Sequence, residues 1–373
     1  TRNRTLMASQ TYLGIDLGAE SGRVMAGNWD GSRMRLEELH RFPNDPVEIA
    51  GTLRWDLPRL WHEIQNGLAH AAKRFGPDLA SIGVDTWALD YVLLSASDEM
   101  LGLPFCYRDS RTRGLIDETV GRISREEIFD ASGLQFMEIN TLYQWIAHQR
   151  NSPEIFGAAS SFLMIPDWLN WALSGVNAVE FTNATTTQFL HPKTRLWSTE
   201  LLTRLGLPTQ ILPAVVEPGT RLGPMRAGLS ARTGLGSVPI VAPATHDTGS
   251  AVAGVPTHHT GKSNWAYLSS GTWSLLGVEV PEAILTPRAL ALNLTNEGGI
   301  DGTYRLLTNI MGLWLVQQCK RSFAARGHHF DYPELTRLAS EAPALRSLID
   351  PDDARFLAPP ALPDAVREIP PLP

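Results

Sequence analysis

At 373 residues the chain is too long for one ordinary hydrophobic core, so two domains are expected. Its 43% apolar and 19% charged residues are those of a globular protein with ample core material. A net charge of −7, with no clustered Lys/Arg stripe, argues against nucleic acid as the main partner. Phosphate ligands stay open, because glycine loops and helix N-termini hold anions without a basic surface.

Two cysteines, Cys106 and Cys319, are too few for a disulfide framework and have no metal-ligand spacing. No uninterrupted apolar run approaches membrane-spanning length, and no signal-peptide core opens the chain, so a cytoplasmic protein with no membrane partner is expected. Residues 1–10 are polar and read as a disordered leader.

Thr11 to Asp16 reads as a buried strand ending in an acid. Leu17-Gly18-Ala19-Glu20-Ser21-Gly22-Arg23 follows as a glycine and serine turn, and strand character resumes over Val24 to Trp29. Asp30-Gly31 is a hairpin signal, and Met34 to Phe42 supplies a third strand. The turn can offer backbone N–H groups to a phosphate, with Asp16 near a divalent cation, or it is an ordinary glycine-rich corner.

Asp56 to Phe75 reads as a helix, with Leu60, Ile64, Leu68 and Ala72 on one face and Gly76-Pro77 as the stop. In the run from Ser81 to Leu94, alternation puts Ile82 and Val84 on one side and Asp85 and Trp87 on the other. Acid beside indole suits a sugar; a structural tryptophan with a surface acid is the plainer alternative. Tyr107 to Arg113 is either a site-lining loop or a solvated helix start. Glu126 to Trp145, Asp167 to Leu173 and Thr199 to Leu205 look helical, and Thr182 to Thr187 reads as a polar loop.

An apolar run from Val238 to Ala242 leads into Pro243-Ala244-Thr245-His246-Asp247-Thr248-Gly249-Ser250. Asp247 stands where a helix begins, as a cap for free N–H groups or as a catalytic base. Ser263 to Leu268, the turn Ser269-Ser270-Gly271-Thr272 and Trp273 to Val280 then repeat the opening strand–turn–strand plan. Two such turns, one in each half, make phosphoryl transfer plausible, since that chemistry needs positioned phosphates and one base. Asn296 to Ile300 reads as a turn, and Tyr304 to Leu307 as a strand. Asn309 to Phe323 reads as a helix carrying Asn309, Leu313 and Gln317 on nearly one face. His258-His259 and His328-His329 lack the spacing of metal ligands.

Six stretches, in order, resemble the FGGY carbohydrate kinases: Asp16 to Arg23, Gly83 to Trp87, Tyr107 to Thr112, Thr245 to Thr248, Tyr267 to Ser274 and Asn309 to Trp314. The resemblance implies a duplicated ribonuclease-H-like (actin-like ATPase) α/β fold, with two domains around a cleft. It would place a sugar-binding domain at 11–254 and a nucleotide-binding domain at 255–373. It also implies ATP-dependent phosphorylation of L-rhamnulose at its 1-hydroxyl, giving L-rhamnulose 1-phosphate and ADP, with Mg2+ as cofactor. L-fuculose and L-xylulose are alternative substrates, and a non-catalytic actin-like sugar-binding protein is the alternative class.

By resemblance, Asp247 is the proton acceptor, and Trp87, Ala88, His246, Thr248 and Asn309 contact substrate. Ala19, Glu20, Ser21, Gly22 and Arg23 form the first phosphate loop, Thr272 the second, and Gln317 a further nucleotide contact. Asp16 meets magnesium, through water. Position 88 departs from the family, which usually has glycine there. Family members also continue well beyond the point matched by Ile349 to Asp353, so an incomplete second domain and weak ATP binding are expected.

Overall fold

The computed structural model describes residues 10–345, 347–351, 353–356 and 361–369. The expected leader lies outside them except for Gln10, which opens the first strand.

A six-stranded sheet organises the first part of the chain. Its order is Thr220–Pro224, Pro239–Ala242, Ser81–Thr86, Gln10–Leu17, Ser21–Trp29, Met34–Pro43. The first three strands in sequence make an antiparallel meander, and Ser81–Thr86 then pairs parallel with Gln10–Leu17. The helix Leu57–Phe75 makes that crossover. Asp56 caps it by accepting from the Arg59 N–H at 3.2 Å, and Gly76, at φ 85°, ends it. Its buried stripe of Leu57, Leu60, Ile64, Leu68 and Ala71 packs in the same core as Ile15, Val24, Ile82 and Val84.

Several elements differ from the sequence reading. The strand at Ser81 stops at Thr86, so Trp87 leaves the alternation and its ring is buried against Trp55 with centroids 4.4 Å apart. The helix expected over Glu126 to Trp145 is two, Arg125–Ser132 and Thr141–Asn151, because Gly133 takes φ 69° and ends the first. Thr182 to Thr187 is a buried helical turn, its hydroxyls bonded to nearby carbonyls and to Glu180. Asn296 and Glu297 lie in a buried strand, Thr295–Gly298.

The chain divides into two compact units, one of residues 1–265 with 278–306 and one of residues 266–277 with 307–373. A four-stranded sheet has the order Ala266–Ser270, Trp273–Val280, Tyr304–Met311, Thr295–Gly298. The second unit has its own small core, in which Met311, Phe356 and Leu362 are packed by Trp273, Trp314, Leu315 and Cys319. Asn309 is in the strand Tyr304–Met311, and the following helix is Trp314–Ala325, not Asn309 to Phe323. The break falls at Gly312, where a Cβ would stand 2.8 Å from the Gly271 carbonyl, too close for any other residue. The four-residue spacing of Asn309, Leu313 and Gln317 therefore does not define one helix face.

Candidate active site

Asp247 is the first residue of the helix Asp247–Ala253, directly after the parallel strand Pro239–Ala242 and its short loop. His246 holds the cap position, so Asp247 serves within the first turn rather than as the cap itself. Its Oδ1 accepts from the Thr248 N–H at 2.6 Å and the Thr248 hydroxyl at 3.3 Å, and stands 3.3 Å from His246 Nε2. Every hydrogen bond that Asp247 accepts among the described residues goes to Oδ1, and the side chain is 38% exposed. Burial raises its carboxyl above the usual range; His246 and Thr248 pull it back, and the charge of Asp16 adds to the rise.

The loop bearing Asp247 is held from behind. Glu180, fully buried, accepts from the Thr245 N–H and hydroxyl at 2.9 and 2.8 Å and from the Thr182 N–H and hydroxyl at 2.9 and 2.6 Å. The Thr182 hydroxyl oxygen in turn accepts from the His246 N–H at 3.2 Å. Thr86 donates its N–H to the Thr245 carbonyl at 2.9 Å, stitching the end of the Ser81–Thr86 strand to the same loop.

Asp16 and Asp85 lie opposite one another in the parallel pair of strands. Asp16 accepts from Arg23 Nε at 2.8 Å, across the antiparallel pair. Burial, then Asp16, then Asp247 push the Asp85 carboxyl well above its ordinary value, while Arg23 opposes the rise. Asp16, Asp85 and Asp247 thus share one field of negative charge. Among the described residues no group of three or more His, Cys, Asp or Glu side chains is arranged to hold a metal ion. The excess of hard carboxylate oxygens fits Mg2+, which commonly takes one or two carboxylates and keeps water and phosphate oxygens for the rest.

The turn between the first two strands is shorter than the expected Leu17 to Arg23: only residues 18–20 lie outside the strands, closed by the Gly18 N–H donating to the Ser21 carbonyl at 2.9 Å, because Leu17 pairs with Gly22 and Asp16 with Arg23. Asn44 clamps it, its N–H donating to the Glu20 carbonyl at 2.9 Å and its amide to the Gly18 carbonyl at 2.8 Å. Gly22 permits close packing, since a Cβ there would stand 2.5 Å from the Leu17 side chain. In the second unit the matching turn is tied to the helix after it. The Leu313 N–H donates to Gly271 at 2.9 Å, Trp314 N–H to the Thr272 carbonyl at 3.1 Å, and Gln317 Nε2 to the Thr272 hydroxyl at 3.4 Å. Thr272 and Gln317 are therefore neighbours, and Asn309 lies on the strand leading toward them.

Trp87 does not face outward. Its Nε1 donates to Asp90 Oδ2 at 3.0 Å, beside Trp55 Nε1 at 2.6 Å and the Tyr107 N–H at 3.1 Å, while Gln144 Nε2 donates to Oδ1 at 3.0 Å. Burial pushes the Asp90 carboxyl up to about 6 against those four donors, which pull it down. Trp87 can present only its backbone and ring edge to a ligand. Ala88 is half-buried in the bend that follows, before Leu89 at φ 77°.

Sequence reasoning missed Asn44, Glu180 and the Glu297–Arg305 pair. A signal existed for Glu297, inside the Asn296-Glu297-Gly298-Gly299-Ile300 run read as a turn.

The comparisons define the class. Residues 11–254 match the FGGY family of carbohydrate kinases, N-terminal domain, and residues 266–373 match the C-terminal domain of the same family. The chain belongs to the FGGY family of carbohydrate kinases and is a phosphotransferase with the actin-like fold of that family. It is similar to the rhamnulokinase of Bacteroides thetaiotaomicron, with 42% identity over 96% of this chain and 72% of the relative. It is also similar to that of Oceanobacillus iheyensis, with 41% identity over 94% and 72%. Among solved structures, a ligand-bound xylulose kinase from Lactobacillus acidophilus superposes with a TM-score of 0.76 at 18% identity, over 90% of this chain and 66% of that one. A Plasmodium falciparum glycerol kinase with ADP gives 0.72 at 17%, over 92% and 70%. At those identities the structures speak to fold alone. No helix among the described residues is long and apolar enough to cross a membrane.

Proposed function

We propose that the chain transfers the γ-phosphoryl group of ATP to the 1-hydroxyl of L-rhamnulose, giving L-rhamnulose 1-phosphate and ADP. The substrate follows from the rhamnulokinase relatives at about 40% identity over almost the whole chain. The observation that carries the chemistry is Asp247: a half-exposed carboxylate, raised in pKa, with Oδ1 engaged and Oδ2 left over. Asp247 takes the hydroxyl proton as the sugar oxygen attacks phosphorus, and ADP leaves with the bridging oxygen.

Within the first unit, His246 and Thr248 flank the base as sugar contacts, with the backbone of Trp87 and Ala88. Ala19 to Arg23 present N–H groups and a hydroxyl to phosphate, and Asp16 holds Mg2+ through water. When bound, Mg2+ neutralises phosphate charge. In the second unit Thr272 and Gln317 are nucleotide contacts and Asn309 a sugar contact. The assignment divides the chain at 254/255 into a sugar-binding and a nucleotide-binding domain, and places it in the cytoplasm. The test is ADP release over L-rhamnulose, L-fuculose and L-xylulose. L-rhamnulose should give the highest kcat/KM, and Asp247→Asn should lower kcat by about 10²-fold or more. A larger kcat/KM with another ketose would refute the sugar; undiminished turnover in Asp247→Asn would remove the base.

A further inference from the structure

Behind Asp247 lies a buried pair of charges that the reaction as stated does not use. Arg305 is fully buried and Glu297 is 5% exposed, on adjacent strands of one sheet. Arg305 Nη2 is 3.1 Å from Glu297 Oε2, and Arg305 Nε donates to the Gly298 carbonyl at 2.9 Å. Both groups converge on the imidazole of His246: Nδ1 is 3.2 Å from Glu297 Oε2 and 3.1 Å from Arg305 Nη2. Arg305 Nη1, also buried, has no hydrogen-bond partner among the described residues.

A buried ion pair rarely adds stability, because desolvation of the two charges offsets their attraction. Well-packed apolar residues often serve such a position as well as an ion pair does. The ring the pair grips has its Nε2 3.3 Å from the base, which gives the pair a positioning role. The His246 N–H is bound by the Thr182 hydroxyl, and Thr86 is paired with His246 in a β-bridge. With the backbone held on that side, and Nδ1 accepting from an Arg305 Nη2 that itself stands 3.1 Å from Glu297 Oε2, the ring has one orientation. Nε2 then meets Asp247 Oδ1. Burial alone would raise the Glu297 carboxyl, but His246 and Arg305 outweigh it and hold the group below its usual value, as a full anion.

We propose that Glu297 and Arg305 are positioning residues for phosphoryl transfer, locking the His246 ring so that Nε2 occupies Asp247 Oδ1 and Oδ2 is left to accept the sugar's proton. This rests on Asp247 being the base. The O–H bond of the sugar breaks toward Oδ2, the sugar O–P bond forms, and the bridging P–O bond breaks with its electron pair leaving on ADP. Neither Glu297 nor Arg305 gains or loses a proton.

The test is a double-mutant cycle of Glu297→Gln with His246→Gln, read by sugar-dependent ADP release, with ¹⁵N-histidine NMR of the same 373-residue chains. Glu297→Gln should lower kcat about tenfold with KM for ATP unchanged, and should cost little more in the His246→Gln background. Its His246 ring signals, assigned by their loss in His246→Gln, should move from fixed positions toward tautomer-averaged ones. That shift is read whether or not the chain turns over. Glu297→Asp, which keeps the charge, should restore part of both, and serves where Glu297→Gln melts early. Unmoved His246 signals in Glu297→Gln would overturn the proposal, as would losses that simply multiply in the double variant. Full activity of Asp247→Asn would instead refute the base, leaving the ring signals to judge the lock.

Discussion

Asp90 offers the clearest quantitative test of how the bend after Trp87 is held. Asp90→Leu strands three buried donors, Trp55 Nε1, Trp87 Nε1 and the Tyr107 N–H, while Gln144 Nε2 keeps the Ile139 carbonyl at 3.0 Å. Each stranded donor costs about 1–3 kcal/mol. Against this, the buried carboxylate is itself penalised at neutral pH: its pKa of about 6, up from 3.8, corresponds to about 3 kcal/mol. The net loss is roughly 3 kcal/mol, a sizeable part of a domain's stability. Asp90→Asn should cost less, because its oxygen still serves three donors while its amide meets Gln144 Nε2 donor to donor. The pH dependence has a defined sign. The folded pKa lies above the unfolded one, so the native state binds the extra proton between about pH 4 and 6, and stability falls as pH rises through that window. The Asn variant lacks this slope, so its deficit should be about 2–3 kcal/mol larger at pH 4.5 than at pH 8. Urea unfolding followed by tryptophan fluorescence at both pH values measures each quantity. A Leu variant within about 1 kcal/mol of wild type, or an Asn deficit that grows with rising pH, would refute the reasoning.

Asp85→Asn should raise the melting temperature at pH 8, since burial, Asp16 and Asp247 all disfavour its charge. The gain should shrink as pH falls, because the native carboxyl takes up its proton above the ordinary carboxylate range; a lower melting temperature at pH 8 would contradict it. Glu180→Ala strands buried donors of Thr182 and Thr245 and should lose more than about 3 kcal/mol in denaturant melts. It should also lower ketose turnover, because the same carboxylate holds the backbone next to His246. Gly22→Ala drives a methyl into Leu17 and Phe42 and should cost about 1–3 kcal/mol, read as a lower denaturation midpoint.

The local parts of this protein were legible from residue order. Asp247 at a helix start, the Asp56-capped helix and the paired strand–turn–strand units each depend on neighbours within a few positions. Capping, period and turn chemistry act at that range. Two of the misread elements fail because burial overrides local polarity. Thr182 to Thr187 looked like a solvated loop, and Asn296-Glu297 like a turn, because polar residues seldom line a core. Here the threonine hydroxyls donate to carbonyls three residues back and to Glu180, while packing brings Asn296 to the Gly133 carbonyl at 2.9 Å and the Gly298 N–H to the Thr185 hydroxyl at 2.8 Å. Asn309 was read on a helix since its four-residue spacing to Gln317 fits one, and only the approach of Gly312 to Gly271 places the break between them.

Residue order by itself determined that this is a two-domain α/β carbohydrate kinase of the FGGY family, and which acid is the candidate base. It did so because the motifs are contiguous and short-range geometry supports them. The tertiary structure alone decided what surrounds that acid. Glu180, Glu297 and Arg305 converge on Thr245 and His246 from 51 to 65 positions away. Such contacts are created by packing and leave no periodicity in the chain.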